Sequence, residues 1–281
     1  MAQVWLNDGL VAADTACISP ADRGLLLGDG LFETLLVRDG RIAFAARHLD
    51  RLARGAATLR IPLPPRASLE QALRATVAAN APTGGAALRL TVTRGPGGRG
   101  LAVPDTTVPT LLVTCAPLAA GGEPAHLAIS DYRRNETSPL SAIKSLSYLD
   151  AVLARAEALD AGCDDAVLRN AAGNLVCASA ANLFAVIRGT LVTPPLSDGP
   201  LPGTVRAVVL ERATIAGIAV NEATLALAAL DGAEEVFLTN SLIGLRPVHS
   251  VEGQVVGASC PGPITRQLMT LYEQELDRSL S

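Results

Sequence analysis

Lys144 is the only lysine in a chain of 281 residues whose 22 other Lys/Arg positions are all arginine. Such a bias replaces lysine by arginine wherever charge alone is needed. A guanidinium cannot lose its proton near neutral pH and attack a carbonyl carbon, whereas an amine can. The neighbours Ile143, Ser145 and Leu146 make the surroundings semi-apolar. Desolvation of that kind lowers an amine's pKa and enlarges its nucleophilic fraction. Residue type and setting together point to amine chemistry on a carbonyl group.

The elements that must position this lysine read as α/β. Strand-like runs cover Ala2 to Leu6, Gly30 to Arg38 and Arg41 to Phe44, the last two flanking an Asp39-Gly40 turn as a hairpin. Apolar residues at helical spacing mark His48 to Thr58 and Leu69 to Asn80. Strands follow at Leu88 to Thr93 and Pro109 to Cys115, around a glycine-rich segment from Arg94 to Gly100. The periodicity lapses at residues 119–124, expected as a linker between a domain at 1–118 and another at 125–281. Beyond it, His126 to Asp131, Asp165 to Arg169, Leu183 to Ile187 and Val236 to Thr239 read as strands. Thr204 to Ile215 reads as a helix after Pro202-Gly203. A further helix is expected from Tyr148 to Leu159, burying Leu149, Val152, Leu153 and Ala156 and starting with a Ser147/Asp150 capping box.

Composition narrows the class. The chain is 49% hydrophobic and 18% charged with net charge −4, which is globular and gives no electrostatic reason to expect a nucleic-acid or membrane partner. No apolar run approaches the roughly 18 residues of a membrane span. The polar groups of Gln3, Asn7 and Asp8 come too early for a signal-peptide core. Cys17, Cys115, Cys163, Cys177 and Cys260 are odd in number and lack metal-ligand spacing, as expected of a reduced, cytoplasmic protein with no metal site.

The string Ile143-Lys144-Ser145-Leu146-Ser147-Tyr148-Leu149 resembles the cofactor-lysine segment of the class IV aminotransferase family, the fold type IV enzymes that use pyridoxal 5′-phosphate (PLP). Further segments resemble the family in the same order along the chain: Gly28 to Thr34, His48 to Leu52, Ala181 to Phe184, Leu201 to Arg206 and Thr239 to Ser241. The resemblance implies a two-domain α/β fold of the α+β type, like that of D-amino acid aminotransferase. Its N-terminal α/β domain would be the smaller, its C-terminal domain would bind PLP, and a homodimer would act on a small-molecule amine. It also implies that Lys144 holds PLP as a Schiff base, with Asn182 among the cofactor contacts and Tyr148 near the phenolic oxygen. The phosphate would take Arg51, the helix start at Thr204 and Val205, and the Ser241 hydroxyl. The family usually has threonine where this chain has Val205.

Within the family, Thr93-Arg94-Gly95-Pro96-Gly97-Gly98-Arg99-Gly100 is similar to a loop of aminodeoxychorismate lyase. Thr34 aligns with that enzyme's proton-assisting threonine, while Arg99, with Phe32, would meet the substrate. The implied reaction converts 4-amino-4-deoxychorismate to 4-aminobenzoate and pyruvate, in the folate pathway. A D-amino acid or branched-chain transaminase and a PLP-binding protein with little activity are the alternatives. One position departs from the family: Cys177 stands five residues before Asn182, where a glutamate usually pairs with the pyridine nitrogen. A thiol there offers only a weak hydrogen bond, which penalises transamination more than elimination.

Overall fold

The computed structural model describes residues 2–119 and 122–280. They form two compact units, the first from residues 2–119, 143–147 and 279–280, the second from 122–142 and 148–278. Residues 120 and 121 of the expected linker lie outside the described residues.

The first unit runs β1 (Gln3–Leu6), β2 (Gly9–Ala12), α1 (Arg23–Leu27), β3 (Gly30–Arg38), β4 (Arg41–Ile42), α2 (Ala45–Leu59), α3 (Arg66–Asn80), β5 (Gly85–Thr93) and β6 (Thr110–Pro117). Its sheet has the order β2-β1-β6-β5-β3-β4, all antiparallel. Alternation on β3 sends Leu31, Leu35 and Val37 into a core with Leu49, Leu52 and Ala56 of α2 and Leu69, Leu73 and Val77 of α3. Asp39 and Gly40 both take positive φ, 52° and 75°, as a two-residue hairpin turn of the primed kind requires. The hairpin's return strand is shorter than expected: Phe44 adopts a left-handed conformation and starts α2 instead of ending β4.

That short return leaves part of an edge open. β4 pairs only with Val37 and Arg38, so the early half of β3 presents unpaired backbone on that side. Residues 144–146 take the place. The Phe32 N–H donates to the Lys144 carbonyl at 2.9 Å, the Leu146 N–H to the Gly30 carbonyl at 3.0 Å, and Leu31 faces Ser145. Gly30 must be a glycine here, because a Cβ would lie 2.7 Å from the Val92 carbonyl and 2.8 Å from Leu146. Residues 143–147 therefore pack within the first unit, although sequence order places them in the second domain.

The second unit comprises β7 (Ala125–Arg134), α4 (Leu149–Asp160), β8 (Asp165–Asn170), β9 (Leu175–Ala178), β10 (Asn182–Ile187), β11 (Thr190–Thr193), α5 (Thr204–Ile215), β12 (Val220–Glu222), β13 (Glu235–Asn240), β14 (Gly244–Val251), β15 (Gln254–Val255) and α6 (Pro263–Leu280). Strand neighbours run β10-β13-β14-β7-β8-β9, and β9 pairs back onto β10 through Cys177 and Asn182, closing a ring of six strands. Val167, Ala178, Leu183, Ala185, Val236 and Leu238 belong to one apolar cluster of this unit. Buried Glu235 caps α6, accepting the Ile264 and Thr265 N–H groups at 2.9 and 2.7 Å.

Helix α4 corrects two expectations. Its buried residues are Ala154 and Ala158, packed on Ala166 and Leu168 of β8. The larger side chains expected inside are outside: Leu149 is 74%, Val152 57% and Leu153 46% exposed, and Ala156 is exposed too. Small alanines let the helix approach the strands closely, which the bulkier stripe would prevent. The capping box does not form either. Tyr148 is the N-cap and makes no side-chain cap bond, while Ser147 lies in the first unit beside Gly28.

Candidate active site

In the first unit Lys144 is held through its neighbours. Ile143 is buried in the core and touches Gly55 of α2, and the backbone of 144–146 is bonded to β3. The half-buried Lys144 side chain lies with Nζ 4.2 Å from the centre of the Phe32 ring. Alternation places Phe32 and Thr34 on the face of β3 opposite the helical core. Arg89, the cross-strand partner of Thr34 on β5, puts its guanidinium carbon 3.8 Å from the same ring centre. Lys144, Phe32 and Arg89 thus form one cluster, in which Arg89 was not foreseen, and half-buried Thr34 adjoins it.

Behind β3, facing the helices, lies a buried charge group. Glu33 is 1% exposed and accepts from Arg51 Nε at 2.8 Å and Nη2 at 2.6 Å, with His48 Nδ1 also at 2.6 Å. Burial alone would raise the Glu33 pKa, but the bonds from Arg51 and His48 outweigh it and hold the carboxyl down at about 2. Burial lowers the His48 pKa more than its bond to Glu33 raises it. Arg51 therefore reaches its place as half of a bidentate ion pair, which fixes its guanidinium plane. Sequence reasoning missed Glu33, although it is the one charge in the core-facing stripe of β3.

The glycine-rich loop sorts its two arginines into different work. Arg94 is buried and donates to both oxygens of Asp29, at 2.7 and 3.0 Å, and to the carbonyls of Leu59 and Arg60. It is consumed by the fold. Arg99 is exposed, and among the described residues it makes no ion pair. Gly95 takes φ +85°, and a Cβ there would stand 1.8 Å from the Val108 carbonyl, so this first loop glycine permits the chain crossing itself.

In the second unit, Cys177, Asn182 and Thr239 are successive cross-strand partners on β9, β10 and β13, and so share one face. Asn182 Nδ2 donates to the Leu201 carbonyl at 2.8 Å, and a Cβ on Gly203 would lie 1.9 Å from Asn182 Oδ1. This pins the start of α5 against β10. The α5 N-terminus has Gly203 as N-cap, no side-chain cap and no acidic residue in its first turn. Its first N–H groups suit an anion, with Thr204 and Val205 as the leading, buried residues. Thr239 Oγ1 is buried without a hydrogen-bond partner. Ser241 follows in the turn after β13, and half-buried Tyr148 precedes α4. Burial pushes the Cys177 thiol up to about 11, Arg134 pulling it down and Asp165 adding to the rise, so the thiol is neutral at pH 7.

Residues 30–251, well over half of the chain, match the family described as Amino-transferase class IV. This chain belongs to the class IV aminotransferase family. As a member it is a PLP-dependent enzyme with the two-domain fold type IV architecture. It is 36% identical over 275 residues to a putative branched-chain-amino-acid aminotransferase of Methanocaldococcus jannaschii, across 96% of this chain and 95% of that protein. It is 30% identical to a D-alanine aminotransferase of Listeria monocytogenes, across 99% and 97%. The solved 4-amino-4-deoxychorismate lyase of Pseudomonas aeruginosa superposes with a TM-score of 0.88 at 37% identity, covering 98% of this chain and 99% of that one.

The residues of this class IV member fit PLP at two of three places. An amine stands ready at Lys144, and a helix N-terminus without a cap, beside an unsatisfied buried hydroxyl at Thr239, suits the phosphate. The third place differs, since the neutral Cys177 thiol offers no charge to a pyridine nitrogen.

Proposed function

We propose that this enzyme is a lyase converting 4-amino-4-deoxychorismate to 4-aminobenzoate and pyruvate. The observation that carries the reading is Arg99, an exposed cation held out on the loop of the unit that contains Lys144, while Arg94 is buried and spent. A substrate with a second carboxylate has a use for such a cation; D-alanine has none. Lys144 Nζ would hold the cofactor and would serve, when its amine is free, as the base for the substrate's α-proton. Bound PLP supplies the sink for the electrons released at that carbon. Thr34 Oγ1 serves to deliver a proton to the departing pyruvate, and Phe32 and Arg89 line the substrate's side of β3. The family resemblance would assign the phosphate to Thr204, the Val205 backbone and Ser241, and to Arg51. Asn182 fixes the α5 start, and Tyr148 would neighbour the cofactor's phenolic oxygen.

Cys177 supports the same choice. Without a carboxylate, the ring nitrogen keeps no firm proton, which costs most in reactions that need a long-lived carbanion. Elimination of a good leaving group, driven by aromatisation, depends on it less. The test is purified holoenzyme given 4-amino-4-deoxychorismate and, separately, D-alanine with 2-oxoglutarate. Formation of 4-aminobenzoate with at least tenfold slower transamination is expected, and Cys177→Glu should raise the transamination rate. Rapid pyruvate formation from D-alanine without 4-aminobenzoate would make the enzyme a transaminase. No turnover until Cys177→Glu is introduced would make it a PLP-binding protein of another role.

A homodimer is part of the proposal. The apolar stripe Leu149, Val152, Leu153 and Leu159 on α4 is uncovered in the single chain and suits an interface. Sedimentation should give twice the chain mass, and Val152→Asp with Leu153→Asp should shift it toward the monomer.

A further inference from the structure

The loop between β5 and β6 spans residues 94–109 without regular structure, a length that in a compact domain usually signals function. Its two ends are tied by a residue far away in sequence. Fully buried Asp22 accepts the Thr93 hydroxyl at 2.9 Å and the Thr110 hydroxyl at 2.6 Å, and caps α1 through the Gly24 N–H at 2.8 Å. With the ends fixed, the middle of the loop is held by the next residue. Arg23, also buried, donates Nε to Asp29 at 2.9 Å and reaches three successive carbonyls: Gly100 at 3.2 Å, Leu101 at 3.4 Å and Ala102 at 3.1 Å. Gly97 leaves room for it, since a Cβ there would stand 2.8 Å from Arg23 Cδ.

We infer that Arg23 is the positioning residue for Arg99: its guanidinium grips the backbone immediately after Arg99 and sets where that cation stands for a substrate's second carboxylate. The substrate half of this inference rests on the lyase reading; the grip on residues 100–102 does not. The sheet does not need Arg23, because Asp22 joins its strands and Arg94 still neutralises Asp29. What Arg23 alone supplies is a planar fork of donors wide enough for a carboxylate and three carbonyls, which a lysine ammonium cannot span.

The experiment compares wild-type holoenzyme with Arg23→Lys, Arg99→Ala and the double variant. Amide hydrogen exchange of residues 99–102 should rise about tenfold or more in Arg23→Lys, with the rest of the first unit unchanged. The Kd for chorismate, a dicarboxylate without the reacting amine, should rise about tenfold in Arg23→Lys and in Arg99→Ala, and no further in the double variant. In Arg23→Lys the Kd for benzoate and the D-alanine half-reaction rate should stay within about twofold. Should Arg23→Lys not fold, Gly97→Ala, which displaces the Arg23 stem, should give the same pattern. Wild type that binds chorismate no tighter than benzoate overturns the lyase reading and with it the specificity assigned to Arg23. Wild type that prefers chorismate, with Arg23→Lys unchanged or with additive losses, overturns Arg23 alone. General loss of protection across the first unit, with slower turnover of both ligand classes, reduces Arg23 to a structural residue.

Discussion

Lys144→Arg should abolish turnover, by about a thousandfold or more, while leaving the fold intact. The substitution keeps a cation that can lie over Phe32, and the backbone bonds of residues 144–146 to β3 do not involve the side chain. What it removes is an amine able to lose its proton. Lys144→Ala should behave alike, and added methylamine should restore part of its activity as a free base. Both variants should lose the visible absorbance band shown by wild type with PLP. The only tryptophan, Trp5, sits in the first unit's core and reports independently that this unit is folded. A variant that keeps the absorbance band, or retains more than a tenth of the activity, would remove Lys144 from the chemistry.

The second large effect concerns stability. Glu33→Gln leaves Arg51 with a neutral partner in a site that is almost fully buried, and breaking a buried pair in this way costs about 3–5 kcal/mol. The pH dependence has a definite sign. The Glu33 pKa is lower in the folded chain, so its contribution is complete above about 4.5 and fades as pH falls toward about 2. The His48 pKa is also lowered on folding, so acid below its ordinary 6.5 destabilises the chain in the same direction. Urea unfolding followed by Trp5 fluorescence should show the gap between wild type and Glu33→Gln at pH 7, shrinking below pH 4.5. A gap under about 1 kcal/mol at pH 7 would mean that Arg51 does not depend on Glu33.

Local features of this fold could be read from sequence, and long-range ones could not. The spans of β3 and α5 follow from alternation, a two-residue turn and a Pro-Gly helix start, all contained within a dozen residues. The C-terminal helix α6 was missed: Leu268, Tyr272 and Leu276 recur at four-residue spacing, and the group that caps its start, Glu235, lies on a distant strand. Helix α4 was misread because its apolar stripe is real but points outward, and periodicity reports a face without saying what covers it. At the candidate site Lys144 was legible from its type and setting, and Arg51, Thr204 and Ser241 only through the family resemblance. Their supports were not. Glu33 meets Arg51 from 18 positions away, and Arg23 meets its loop carbonyls from 77 to 79 positions away. Nothing in spacing or composition encodes such pairings.

The placement of residues 144–146 along β3 has an outcome for how this chain can be divided. An unprotected strand edge is a template for foreign chains, and proteins guard such edges. Here the guard is the segment that carries the reactive amine. A fragment ending at residue 119 would keep the whole sheet of the first unit yet expose the β3 edge, inviting self-association. Supplying a peptide of residues 141–149 in trans should restore solubility by adding the missing strand. Insertions or permutations that lengthen the chain just before Ile143 would put both properties at risk together. Loss of the reactive amine's placement and loss of edge protection are one lesion in this architecture.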